Sequence, residues 1–128
     1  MAEASYPEDL KYHPEHDWAR IEGDEATFGI TWFAQDQLGE VVFVDLPDVG
    51  SSVSANASYA EVESVKAVSD VIAPLSGEIL EVNTALGDKP EAINDDPYGE
   101  GWMVRVRLSD PSEREALLDQ AAYTATLS

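Results

Sequence analysis

The sequence predicts a mainly β domain: two small antiparallel sheets packed face to face, as a sandwich or flattened barrel, with a helix at the C-terminal end. Three features point there. Val, Ile, Phe and Trp fall in short runs punctuated by Gly, Pro and Asp, the spacing of many small strands. Trp102, Val104, Val106 and Leu108 alternate with Met103, Arg105 and Arg107, which is strand period. The run Gly39-Glu40-Val41-Val42-Phe43-Val44 is similar to Gly77-Glu78-Ile79-Leu80-Glu81-Val82. That weak internal repeat implies two similar half-sheets; two copies are too few for a solenoid, so facing sheets related by an approximate two-fold fit better.

Along the chain, Asp17 to Glu22 and Ala26 to Ile30 flank Gly23 and Asp24 as a hairpin. Thr31 to Leu38 reads as a short helix stopped at Gly39. Glu40 to Leu46 is an apolar run ending at Pro47, followed by strands at Ser58 to Val65, Ala67 to Ala73 and Glu78 to Val82. Asp110, then Pro111, then Glu113 three positions on, opens a final helix. It is expected over about residues 111–123, with Ala116, Leu117 and Ala121 on its packing side. The core is expected over about residues 10–108, in one domain spanning 1–128.

Composition narrows the function. A chain of 128 residues buries roughly two-thirds of its unfolded surface without metal or disulfide staples. A net charge of -19, from 26 Asp and Glu against 7 Lys and Arg, repels phosphate backbones and anionic membranes and attracts basic partner surfaces. Neither nucleic acid nor a membrane is an expected partner. With no cysteine, and with neither a basic region nor an apolar run in the opening MAEASYPEDL, the expected location is the cytoplasm of a bacterium. The mitochondrial matrix is the alternative, if a transit peptide has been removed.

One of only three lysines, Lys66, sits between two β-compatible runs. With Val65 and Lys66 as turn residues, Ser64 faces Ala67, Glu63 faces Val68, Val62 faces Ser69 and Glu61 faces Asp70. That last pair opposes like charges, which costs stability and points to function where nothing structural is gained. The plainer alternative is that both acids are exposed and screened. Val-Lys itself lacks the Gly or Asn of favoured two-residue turns.

The segment Glu63-Ser64-Val65-Lys66-Ala67, with Gly77-Glu78 beyond it, resembles the lipoyl-attachment site of the glycine cleavage system H protein family. Similar stretches run in order through the chain: Lys11-Tyr12, His16-Asp17-Trp18, Gly29-Ile30-Thr31, Gln37 to Val42, Leu46-Pro47, Val82-Asn83, and Asn94 to Trp102. Trp32 stands where that family more often has a small or acidic residue, and Asp17 where Glu is common. The resemblance implies a barrel-sandwich hybrid of the lipoyl-domain kind and a non-enzymatic carrier with lipoate held covalently on Lys66. It further implies shuttling of an aminomethyl group from the pyridoxal-phosphate-dependent glycine decarboxylase (P protein) to the tetrahydrofolate-dependent aminomethyltransferase (T protein). Dihydrolipoamide dehydrogenase (L protein) would then reoxidise the arm, which a lipoyl or octanoyl transferase or a lipoate ligase installs. Glu63, Ser64, Val65 and Ala67 would frame the attachment site, while Asp17, Asp70 and Glu15 would line a cleft for the arm. A lipoyl donor or relay protein, and a binding module that is never lipoylated, are the alternatives.

Other signals are weaker. His13-Pro14-Glu15-His16-Asp17 has a proline inside it and no second cluster to complete a metal tetrahedron. Asn94, Asp96 and Gly99 hint at a calcium loop, but Tyr98 and Arg105 occupy ligand positions. Arg105 and Arg107 read as a solvated face paired with acids of neighbouring strands. Trp18, Trp32 and Trp102 read as core or cleft wall. No nucleophile and base pair is recognisable.

Overall fold

The structure, a computed structural model, describes residues 5–127; the opening residues 1–4, read above for leader-like composition, and Ser128 lie outside it. Two antiparallel sheets share one apolar core and do not close into a barrel. Strands β1 (Lys11–His13), β2 (Asp17–Glu22) and β3 (Glu25–Ile30) lead into helix α1 (Trp32–Leu38). Then come β4 (Val41–Asp45), β5 (Ser52–Val53), β6 (Ser58–Ser64), β7 (Val68–Ile72) and β8 (Gly77–Val82). The helical turn α2 (Ala92–Asp95), β9 (Val104–Leu108) and α3 (Gln120–Thr126) complete the chain.

The larger sheet has six strands in the order β1-β2-β3-β9-β8-β5, the smaller has three in the order β4-β6-β7. The two copies of the weak repeat, β4 and β8, lie in different sheets, as facing half-sheets require. The sheets are unequal, however, and β1 and β5 at the edges of the larger one widen the difference. Both were missed in the sequence: strands of three and two residues are too short to show alternation.

The local reasons for the elements are direct. Glu22 pairs with Glu25 across Gly23-Asp24, and Gly23 takes φ 66, which a side chain disfavours. Thr31 caps α1 by accepting from the Ala34 N–H, and Gly39 ends it with φ 81. Between the sheets, Phe28, Val62, Leu75, Val104 and Val106 are fully buried. A second cluster joins Leu10, Tyr12, Trp18, Tyr98 and Tyr123. Trp18 lies flat on its β3 partner Gly29, where a Cβ would fall 2.6 Å from the ring, and its indole N–H donates to the Pro97 carbonyl at 3.0 Å. On the outer face of the large sheet Arg105 pairs with Glu25 and Glu81, and Arg107 with Glu78 at 3.2 Å.

The predicted final helix is broken. Residues Pro111–Ala116 form a 3-10 helix, Leu117 is extended, and α3 starts afresh with Asp119 accepting from the Ala122 N–H at 2.8 Å. Glu113 does not close a capping box; its carboxylate takes the Ser76 N–H and hydroxyl, each at 2.8 Å. Leu118 exchanges two backbone bonds of 2.8 Å with Tyr12, which demands extended chain. Ala116 and Ala121 are exposed and Leu117 half-buried, so the expected packing stripe does not form. Tyr123 does that work: it is fully buried, stacks on Tyr12 with ring centroids 4.7 Å apart, and its hydroxyl meets Thr31 Oγ1 and His16 Nδ1, each at 2.8 Å. Tyr123→Phe strands those two partners and is expected to cost about 1–3 kcal/mol, read by urea denaturation; no loss would mean that the hydroxyl is replaced by water without penalty.

Candidate functional site

The β6–β7 hairpin projects Lys66 into solvent. Its register is the one read from the sequence: Glu63 opposite Val68, Val62 opposite Ser69 and Glu61 opposite Asp70, with the Ser64 N–H bonded to the Ala67 carbonyl at 2.8 Å. A turn without Gly or Asn is held instead by a side chain. Ser64, 5% exposed, offers its Oγ to the N–H groups of Lys66 at 3.3 Å and Ala67 at 3.1 Å, the backbone-mimicking bond open to serine in turns. The Val65 N–H reaches sideways to the Glu40 carbonyl at 3.1 Å, tying the tip to the start of β4.

That anchor is itself fixed from behind. Asn94 of α2, 5% exposed, accepts from the Val41 N–H at 2.9 Å and donates to the Gly39 carbonyl at 2.8 Å and to Gln35 Oε1 at 2.9 Å. Gly39 has φ 81 and ψ -154, a conformation nearly confined to glycine. A Cβ there would sit 3.5 Å from Lys66 Cε, so the lysine stem runs past bare backbone. Gln35, Gly39 and Asn94 carried no signal for this role in the sequence, Gly39 reading only as a helix stop. The calcium-loop pattern fails for a positive reason, since Asn94 turns inward to this network.

Beside the tip opens a cleft of about 340 Å³. Ile30, Ala34 and Leu38 give it an apolar base, residues 67–71 form one wall, and Glu15, His16 and Asp17 the other. Glu15, Asp17 and Asp70 are therefore brought to one cleft, but in unequal states: Glu15 and Asp70 are exposed, whereas Asp17 is 2% exposed. One Asp17 oxygen, Oδ2, is buried without a hydrogen-bond partner. Burial holds the Asp17 carboxyl well above its ordinary value of 3.8, a hydrogen bond from the Ile72 backbone N–H opposes this, and nearby Glu15 reinforces it. The protonated form that burial favours can donate a hydrogen bond as well as accept one.

The histidines are engaged in the fold. His13 Nε2 lies 2.6 Å from Asn56 Oδ1 and its Nδ1 accepts from the Glu15 N–H at 3.0 Å, while His16 is held by Tyr123 and packs at a tilt against Phe33. Burial lowers the His16 pKa, with Glu15 pulling the other way. Among the described residues no group of three His, Cys, Asp or Glu is placed to hold a metal ion.

Two measurements follow. Asn94→Ala leaves the Gly39 carbonyl and the Val41 N–H without partners and is expected to cost about 2–4 kcal/mol, with faster amide exchange at Val65 than at Val106; equal protection at both sites excludes the coupling. For Asp17 the folded pKa is raised, so below about pH 4 both folded and unfolded chains hold the proton. Above that the unfolded chain ionises first, and the wild type loses stability relative to Asp17→Asn as pH rises toward neutrality. Denaturation of the two proteins at pH values rising from about 4, where an unfolded Asp titrates, checks the sign, and a wild type that gains on the variant reverses it.

Comparison with known proteins gives a uniform result. Residues 10–128 match the family described as Glycine cleavage H-protein. A glycine cleavage system H protein from Rubrobacter xylanophilus is 62% identical over 124 residues, covering 97% of this chain and 96% of the relative. One from Symbiobacterium thermophilum is 57% identical over 122 residues, 95% of each. The crystal structure of a glycine cleavage system H protein from Mycobacterium marinum superimposes with a TM-score of 0.87 at 45% identity, over 95% of this chain and 98% of that one.

Proposed function

The chain belongs to the glycine cleavage H-protein family, and from that premise we propose that Lys66 is the attachment point of a lipoyl arm. Membership makes the protein a carrier that works with the other components of glycine cleavage and has no catalysis of its own. The observation that supports Lys66 is its place: of the three lysines, it alone stands on a hairpin turn beside a cleft. Lys11 lies in β1 and Lys89 in the loop before α2.

The residues around it suit the task. Ser64 and the Glu40–Val65 bond keep the turn stiff, so the amine meets an incoming enzyme in one place at little ordering cost. Acylation would remove the lysine charge and leave the amide at the end of a stem lying past Gly39. A lipoyl group bound there supplies a disulfide that takes up an aminomethyl unit from glycine and passes it on to tetrahydrofolate. The partners are then glycine decarboxylase, the aminomethyltransferase, dihydrolipoamide dehydrogenase, and the transferase or ligase that charges Lys66. An arm lying in the cleft between Asp17 and Asp70 would be partly shielded from water by the apolar base of Ile30, Ala34 and Leu38. A cation entering there offsets the cost of ionising Asp17 and so favours its carboxylate.

Intact mass tests the attachment: protein co-expressed with a lipoate ligase and supplied with lipoate should gain one lipoyl amide, mapped to Lys66, and Lys66→Arg should gain none. Modification confined to Lys11 or Lys89 would end the assignment. Mixing the modified protein with glycine decarboxylase should support exchange of the glycine carboxyl carbon with bicarbonate; a protein that only relays lipoyl groups gives none. For the cleft, Asp17→Asn and Asp70→Asn are each expected to raise formaldehyde release from the cargo-loaded carrier several-fold, and an unchanged rate rejects the role of these acids.

A further inference from the structure

The outer face of the β4-β6-β7 sheet carries a pattern that folding does not call for. Register sets Phe43, Glu63 and Val68 in one row across the three strands and Asp45, Glu61 and Asp70 in another. All six are exposed, since the intervening positions Val44 and Val62 face the core. Phe43 is 56% exposed, Val68 61% and Val65, on the turn itself, 70%; Val42, displaced by the bulge in β4, is 43% exposed. Apolar residues are thus gathered at the Lys66 end of the face. Behind them stand three carboxylates directly opposed on neighbouring strands, an arrangement that lowers stability. The ion pairs formed among the described residues use Arg105 and Arg107 on the other sheet, and none reaches this row.

We propose that this face is the docking surface for the enzyme that acylates Lys66, a partner whose contact is basic and holds an apolar pocket for Phe43; the proposal rests on Lys66 being the attachment point. Geometry selects that occupant over the other components. An acylating enzyme has to bring its reacting atoms to the Lys66 amine itself, so its surface must lie against residues within a side chain of the turn. Enzymes served by a finished arm stand back by the length of the tether. Charge selects its chemistry: a row of three acids on a chain of net charge -19 complements lysine and arginine, raising encounter rates at low salt. The exposed Phe43 supplies the anchor that charges alone do not, because aromatic side chains seated in a pocket hold most of the affinity of such contacts.

The test is steady-state lipoylation of the unmodified protein by a lipoate ligase with ATP and lipoate, followed by intact mass. Phe43→Gln is expected to raise KM for the carrier about tenfold with kcat unchanged, and Val68→Thr to raise it in the same direction. Asp45→Asn combined with Glu61→Gln should lower kcat/KM several-fold at low salt, a difference that fades near ~0.5 M NaCl. Val49→Gln, an equally exposed apolar position away from this face, should match the wild type. Unchanged KM in all face variants while Lys66 is still acylated overturns the docking surface and leaves the attachment site standing. Failure of the wild type itself to be acylated at Lys66 overturns both. A lower sedimentation coefficient for Phe43→Gln with unaltered KM assigns the face to a second copy of the chain and likewise overturns the proposal.

Discussion

The geometry of the site depends on one buried amide. Asn94 bonds to three groups on a segment far from it in sequence, and through Gly39 to Val41 it fixes where the Glu40 carbonyl waits for the Val65 N–H. The hairpin belongs to the small sheet, and Asn94 hangs from the chain between β8 and β9 of the large one. A lysine on a two-strand ribbon would sweep a wide arc, since isolated hairpins are marginal in water. Lashed to a second element by short hydrogen bonds, it keeps one bearing.

Much of this was legible in the residues, and the division is instructive. The β6–β7 register follows from Val65 and Lys66 as the turn residues, and alternation agrees with it: Val62 and Ser64 face in while Glu61 and Glu63 face out, which a slip of one residue would invert. The β2–β3 hairpin was equally plain, because Gly23-Asp24 separates two strand-like segments, Asp17 to Glu22 and Ala26 to Ile30. The final helix was not. Its opening signal is genuine, yet Glu113 is claimed by Ser76 and Leu118 by Tyr12, long-range bonds that no local pattern reports. Tertiary partners overrode propensity there, whereas β1 and β5 are simply too short to show a pattern.

The candidate site divides the same way. Lys66 and its flanking residues could be named as one candidate because they are contiguous in the sequence. Asp17, Asp70 and Glu15 were named together, but their unequal burial was not, since composition treats three carboxylates alike while a sheet interior and a surface do not. Gln35, Gly39 and Asn94 meet only after the chain has folded back on itself. Ser64 lay in the motif from the outset; its duty as a turn lock became visible only with the backbone around it.

An open two-sheet architecture leaves strands with unpaired edges, the template on which chains add to one another. Here the large sheet ends in β1 and β5, cut to three and two residues, and β4 on the small sheet is kinked by a bulge. These three edges offer little straight ladder for another chain to extend; the fourth, β7, is five residues long. Strand addition between copies of the carrier is thus limited at three of its four sheet edges, without either sheet closing.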